Sequence, residues 1–149
     1  MVASIHDNTL LQAFLKSGPH CVQLVRRLEF DYFGWFKEEN KKNADLELAA
    51  EYTGLRSIEL TFHSEVLTYW ALFGDYDDGL TAMPLEAESL FERFRLKRLL
   101  DCAMLKSITI GHAGRRKDAA YETGENLGEL LVTKFADTKR QKVMVQQCR

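Results

Sequence analysis

The sequence predicts an α+β domain in which an antiparallel β-sheet packs against one main α-helix. Two observations support this fold class. Residues Ser57 to His63 alternate strictly between apolar and polar side chains, which is typical of a half-buried strand. Residues Pro84 to Met104 carry an apolar stripe, with acidic residues near the start and basic residues toward the end, which is typical of an amphipathic helix.

The stretch from Leu46 to Phe73 decides between this fold and the alternative, an all-α helical bundle. Its apolar residues also recur at intervals of three and four, as they do in a helix. Gly54 lies in the middle of the stretch, where it costs a helix about 1 kcal/mol relative to alanine. We therefore expect strands over 46–53 and 55–63, followed by a third strand through VLTYWALF.

The other segments fit around this predicted sheet. The run HCVQLVRRLEF follows a turn and predicts a strand that forms a hairpin with the N-terminal segment. Ser107 to Ile110 is β-branched and predicts a further strand. The segment GHAGRRKDAAYETGEN contains three glycines and predicts a loop. The end of the chain, GELLVTKFADTKRQKVMVQQCR, predicts a hairpin, with a helix as the alternative.

Length and composition indicate a single domain over residues 1–149, without a linker or an internal repeat. The sequence has neither an apolar run of about eighteen residues nor a basic-then-apolar N-terminus, so we expect no membrane span and no signal peptide. The three cysteines form no CxxC pair, which favours free thiols, a cytoplasmic location and no structural zinc. No sequence motif indicates a cofactor.

Charge is distributed unevenly along the chain. Residues 1–80 hold 13 acidic and 7 basic side chains, a net charge of −6, whereas residues 81–149 hold 9 and 13, a net charge of +4. An acidic surface speeds association with a basic protein in a salt-dependent way. The candidate partner-binding residues are Glu38, Glu39, Asp75, Asp77 and Asp78. The acidic loop GDYDDGL lacks the spacing of a calcium-binding loop, so we expect no metal site.

The sequence favours a non-enzymatic protein, since it contains no HExxH, GxSxG, GxGxxG or Walker motif. The basic triplet RRK is too short a signal to predict nucleic-acid binding. A homo-oligomer is compatible with the composition. An alternative function is small-molecule binding in an apolar pocket beneath the predicted helix. The candidate pocket residues are Trp35, Tyr69, Trp70 and Phe94.

A second alternative comes from the spacing of Arg56 and His63, which resembles the arginine–histidine motif of helical HEPN ribonucleases. The resemblance implies that Arg56 would stabilise phosphate charge and that His63 would orient or transfer protons. That family needs both residues on one helix. If residues 55–63 form a strand, the two side chains fall on opposite faces and this hypothesis fails.

A further resemblance covers residues 5–63. The pair His6-Asp7 is followed by CVQLVRRLEF and then by DLELAAEYTGLRSIELTF. This order resembles a group of small β-rich bacterial proteins that begin with a histidine–aspartate pair, some of which are similar to immunity proteins of toxin systems. The resemblance implies a protein that neutralises a toxin by binding it, and it implies no catalytic residue.

Overall fold

A computed structural model describes most of the chain, namely residues 2–4, 13, 17–18, 20–33, 42–72, 80–114, 117–139 and 141–148. In this part, the strands are β1 (Val2–Ser4), β2 (Arg27–Phe33), β3 (Ser57–His63), β4 (Thr68–Leu72), β5 (Leu80–Pro84), β6 (Ser107–Ala113) and β7 (Met144–Gln147). The α-helices are α1 (Cys21–Leu24), α2 (Ala44–Glu51), α3 (Ala87–Arg93) and α4 (Lys117–Lys139), and 3-10 helices span Ser64–Val66 and Leu96–Asp101.

The main sheet is parallel throughout, so the prediction of an antiparallel sheet is wrong, and so is the all-α alternative. Five strands lie side by side in the order β1-β2-β3-β6-β7, while β4 and β5 form a separate antiparallel hairpin. In the main sheet, Leu28 lies opposite Ile58, and Ile58 lies opposite Ile108. Parallel neighbours require a crossover that returns the chain to the same end of the sheet. The alternation of side chains predicts a strand but carries no information on its direction.

A short pattern recurs at the start of three strands. The segments VRRLEF (25–30), LRSIEL (55–60) and LKSITI (105–110) each read apolar-x-x-apolar-x-apolar. All nine apolar side chains are buried, with at most 2% of any of them exposed. The spacing is that of the strand segments in leucine-rich solenoids. The pattern recurs at unequal intervals, from 25 to 55 and from 55 to 105, so it marks the starts of strands and does not divide the chain into repeats.

Helix α4 replaces the predicted loop and terminal hairpin over residues 117–139, and both predictions are wrong there. Gly124 and Gly128 are four residues apart, on the helix face that approaches β7. A Cβ atom at Gly124 would lie 2.9 Å from the Gln147 Nε2, and one at Gly128 would lie 3.1 Å from the Val145 Cγ1. These glycines permit close packing of helix on strand, which explains why they occur inside a helix.

Residues 44–51 form helix α2, so the strand predicted over 46–53 is wrong. Asn43 caps this helix, because its Oδ1 accepts a hydrogen bond from the Asp45 backbone N–H at 3.1 Å. The Asn43 Nδ2 donates to the Phe94 carbonyl at 3.0 Å, which ties α2 to the end of α3. Gly54 follows α2, and a Cβ atom there would lie 2.5 Å from the Gln23 carbonyl oxygen. Gly54 lies in the turn between α2 and β3, where this close backbone approach leaves no room for a side chain.

The remaining predictions are partly correct. The strand at 57–63 is confirmed, and strands are present at 68–72 and 107–113. The predicted helix over 84–104 is interrupted, because α3 ends at Arg93 and Arg95 adopts a left-handed conformation with φ 57°. The run at 20–30 contains α1 and the start of β2, and β2 pairs with β1 in parallel instead of forming a hairpin with it.

Candidate functional site

Helices α2, α3 and α4 contribute buried side chains to the core on one face of the parallel sheet. Phe94, at the end of α3, lies 5.2 Å from the Phe62 ring, and α4 packs on Val145 through Gly128. Residues that alternate with the buried ones point to the other face, which we name the open face. Its half-buried polar members are Arg27, Glu29, Asp31, Ser57, Glu59, Thr61, Ser107 and Thr109. Parallel sheets are usually covered on both faces, so a polar and partly exposed face is unusual.

A charged cluster occupies the open face across β2 and β3. The Arg27 Nη2 donates a hydrogen bond to the Glu59 Oε2 at 2.7 Å. The Arg27 Nε lies 2.8 Å from the Glu29 Oε1, in an ion pair that lacks hydrogen-bond geometry. The side chains of Arg27, Glu29 and Glu59 are 44%, 27% and 23% exposed, so the cluster remains in contact with solvent. One guanidinium between two carboxylates leaves an excess of negative charge.

A hydroxyl pair continues the polar surface toward β6. The Ser107 Oγ donates a hydrogen bond to the Ser57 Oγ at 3.0 Å, directly across the β3–β6 pairing. The two hydroxyls therefore bond to each other, and among the described residues neither donates a hydrogen bond to a histidine or carboxylate that could activate it. This arrangement suits hydrogen-bonded recognition better than nucleophilic catalysis.

An irregularity in β2 adds an aromatic side chain to the open face. The register with β3 shifts between Phe30 and Phe33, so Asp31 and Tyr32 together face Thr61. Tyr32 is 69% exposed. An exposed tyrosine held on a strand beside charged groups is the kind of residue that often dominates the affinity of a protein interface.

The two residues of the ribonuclease hypothesis are not brought together. Arg56 directly precedes β3 and His63 ends it, so about seven residues at roughly 3.3 Å each separate them. Arg56 occupies the same position of the recurring pattern as Arg26 and Lys106, at the edge where the strands begin. The His63 Nδ1 lies 3.7 Å from the Glu65 Oε2, and both side chains are at least half exposed.

The predicted pocket residues are not brought together either, as far as the structure describes them. Tyr69 and Trp70 lie on β4 and are 47% and 48% exposed. Phe94 is buried among Phe33 and Phe62 in the core. The predicted residues Trp35, Glu38, Glu39, Asp75, Asp77 and Asp78 lie outside the described residues.

Sequence reasoning did not single out the residues of the open face. Ser57, Glu59 and Thr61 were recognisable as the polar side of a strand, but a single strand does not show what lies beside them. The contact of Arg27 with Glu59 joins residues 32 positions apart and depends on the parallel register. The signal in the sequence was the repetition of polar residues between the apolar ones of each repeated segment.

Neither a protein-family model, nor a curated protein, nor a solved structure matches the chain. The described residues contain no group of three or more potential metal-binding side chains. None of the helices in the described ranges combines the length and the apolar character needed to cross a bilayer.

Proposed function

We propose that this chain is a protein-binding domain that contacts its partner through the open face. The observation that supports the proposal most strongly is that, within the described part of the chain, helices cover one face of an all-parallel sheet whose other face is polar and partly exposed. By analogy, solenoid proteins, which share the spacing of these strand segments, bind partners over extended surfaces. The strands hold the side chains of the open face in a fixed arrangement, so little conformational entropy is lost when a partner binds.

The charges of the open face favour a basic partner. In the charged cluster on β2 and β3, Glu29 and Glu59 outnumber Arg27 by two to one. A basic partner would meet complementary charge there, and its association rate would fall as salt increases. The specific form of the proposal is a cytoplasmic immunity protein that neutralises a basic bacterial toxin, in line with the resemblance of residues 5–63.

Substitution of Thr109 tests the proposal. Thr109 lies on the open face opposite Glu59, and Thr109→Arg would place a long cationic side chain in the middle of the surface without touching the core. The matched control is Ser89→Arg, since Ser89 is exposed on α3, on the helical side of the molecule. Wild type and each variant would serve as bait to capture a partner protein from the native host. The purified partner would then be titrated against all three proteins to measure its affinity for each.

We expect a partner that binds wild type and Ser89→Arg alike and binds Thr109→Arg at least about ten-fold more weakly, which corresponds to about 1.4 kcal/mol. The affinity for wild type should fall as ionic strength rises. Equal binding to all three proteins, or an affinity that does not depend on salt, would contradict the proposal.

A further inference from the structure

Strand β7 presents a free edge among the described residues, since it is the last strand of the sheet on the side away from β1. The N–H groups of Met144 and Cys148 donate toward β6, to the carbonyls of Lys106 at 2.9 Å and Ile110 at 3.0 Å. Alternate residues of a strand direct their backbone groups to opposite sides. The N–H and C=O groups of Val145 and Gln147 therefore point away from β6, toward the outer edge.

A groove of about 660 Å³ runs between this edge and helix α4. Val145 and Gln147 line it on the strand side, and Gly124 and Gly128 line it on the helix side. Because the two glycines have no side chains, the helix lies close to the strand and the edge is not covered by bulky residues. The groove therefore flanks a strand edge that can accept an extended chain.

The charged groups of the groove favour a basic ligand. Glu125 and Glu129 line it from α4, are exposed, and form no ion pair among the described residues. The Gln147 Nε2 donates to the Tyr121 carbonyl at 3.1 Å, but its Oε1 is buried and accepts no hydrogen bond. Buried polar atoms are normally hydrogen-bonded, so this acceptor still has capacity for a donor.

We propose that this groove binds an extended basic segment of a partner protein by strand addition to β7. The backbone of the segment pairs with Val145 and Gln147, and a lysine or arginine contacts Glu125 and Glu129. This surface is separate from the open face, and the inference does not depend on the function proposed above. A second copy of the chain fits less well, because β7 itself reads MVQQ and carries no basic residue to pair with the glutamates.

The test uses synthetic seven-residue peptides as probes. The basic probe is acetyl-TVRVKVT-amide, and its acidic counterpart replaces the arginine and the lysine with glutamate. A third probe has the basic sequence with alternate backbone nitrogens methylated, which removes the N–H donors needed for strand addition and retains the charges. Binding is measured by fluorescence anisotropy at physiological salt, and the contact site by amide chemical shifts in NMR spectra.

We expect the basic probe to bind at least ten-fold more tightly than the acidic and the methylated probes, and to shift the amide signals of Val145 and Gln147. The double variant Glu125→Lys/Glu129→Lys should weaken binding at least ten-fold. The matched control is Glu122→Lys/Asp137→Lys, which makes the same charge change at exposed positions of α4 outside the groove and should retain binding within about three-fold.

Three results would overturn the inference. The first is the absence of binding by the basic probe, or shifts that map away from β7. The second is equal binding by the methylated probe, which would show attraction between charges without strand addition. The third is a free protein that dimerises through β7, since a second copy would then be the occupant of this edge.

Discussion

Replacing Phe62 with alanine is expected to lower the free energy of unfolding by about 3–5 kcal/mol. Phe62 lies on β3 with none of its surface exposed. Its ring centroid is 5.1 Å from that of Phe33 on β2 and 5.2 Å from that of Phe94 at the end of α3. The substitution would therefore leave a cavity where the sheet meets the helical layer. Domains are stable by only about 5–15 kcal/mol, so much of the stability would be lost.

Urea denaturation of both proteins measures this loss, and Tyr69→Ala is the control. Tyr69 is an aromatic residue of β4, the next strand along the chain, but it is 47% exposed. Its truncation should therefore lower the free energy of unfolding by less than about 1 kcal/mol. If Phe62→Ala were no less stable than Tyr69→Ala, the aromatic cluster would not form the core that the structure shows.

Replacing Tyr32 with alanine is expected to weaken the binding of the proposed partner about 30-fold or more, which corresponds to about 2 kcal/mol. The free energy of unfolding should not fall by a comparable amount. The shift in register places Tyr32 on the open face, where it is 69% exposed beside the charged cluster. Truncation of Tyr32 should change the stability of the free protein little, since most of the surface of the ring is in solvent. In a complex, the same ring would be buried against the partner, and its removal would cost that contact.

Isothermal titration with the captured partner measures this effect, and urea denaturation shows whether the fold is retained. Tyr69→Ala again serves as the control, because it removes a similarly exposed aromatic ring from the hairpin. An unchanged affinity for Tyr32→Ala, or an equal loss for Tyr69→Ala, would exclude Tyr32 as a contact residue of the open face.

The strand at 57–63 could be predicted because alternating burial leaves a direct record in the sequence. The direction of the strands could not, because parallel and antiparallel strands bury the same alternating positions. The direction depends on what connects the strands, and here the connection at 44–51 is helix α2. Its signal was Asn43, a good N-cap residue, but Gly54 was given more weight.

The first half of helix α4 was missed because glycine was taken as a sign of a loop, whereas the helix named as the alternative to the terminal hairpin is present up to Lys139. That inference considers only the local backbone, where glycine in a helix is unfavourable. Gly124 and Gly128 are favoured by tertiary contact instead, since larger side chains would collide with Gln147 and Val145. Such contacts between α4 and β7 are absent from any local pattern.

The candidate site was harder to predict than the fold elements for a related reason. Arg27, Glu29 and Glu59 each look like an ordinary exposed residue of a strand. Arg27 and Glu29 share one face of β2, and only the parallel register brings Glu59 to them. Helices α2, α3 and α4 lie on the other face and leave the cluster open. The acidic surface predicted to bind a basic partner stays a prediction. The open face adds Glu29 and Glu59 to the acidic residues that could form such a surface.

The most direct test of the open face as the binding surface is a nitroxide spin label on it. The label would be attached at Thr109→Cys, and in a separate protein at Ser89→Cys on α3, with Cys21 and Cys148 replaced by serine. Cys102 can stay, because burial raises the pKa of its thiol to about 11 and keeps it protonated during labelling. We predict that the captured partner immobilises the label at 109 and leaves the label at 89 mobile. Immobilisation at 89 with free motion at 109 would contradict the account.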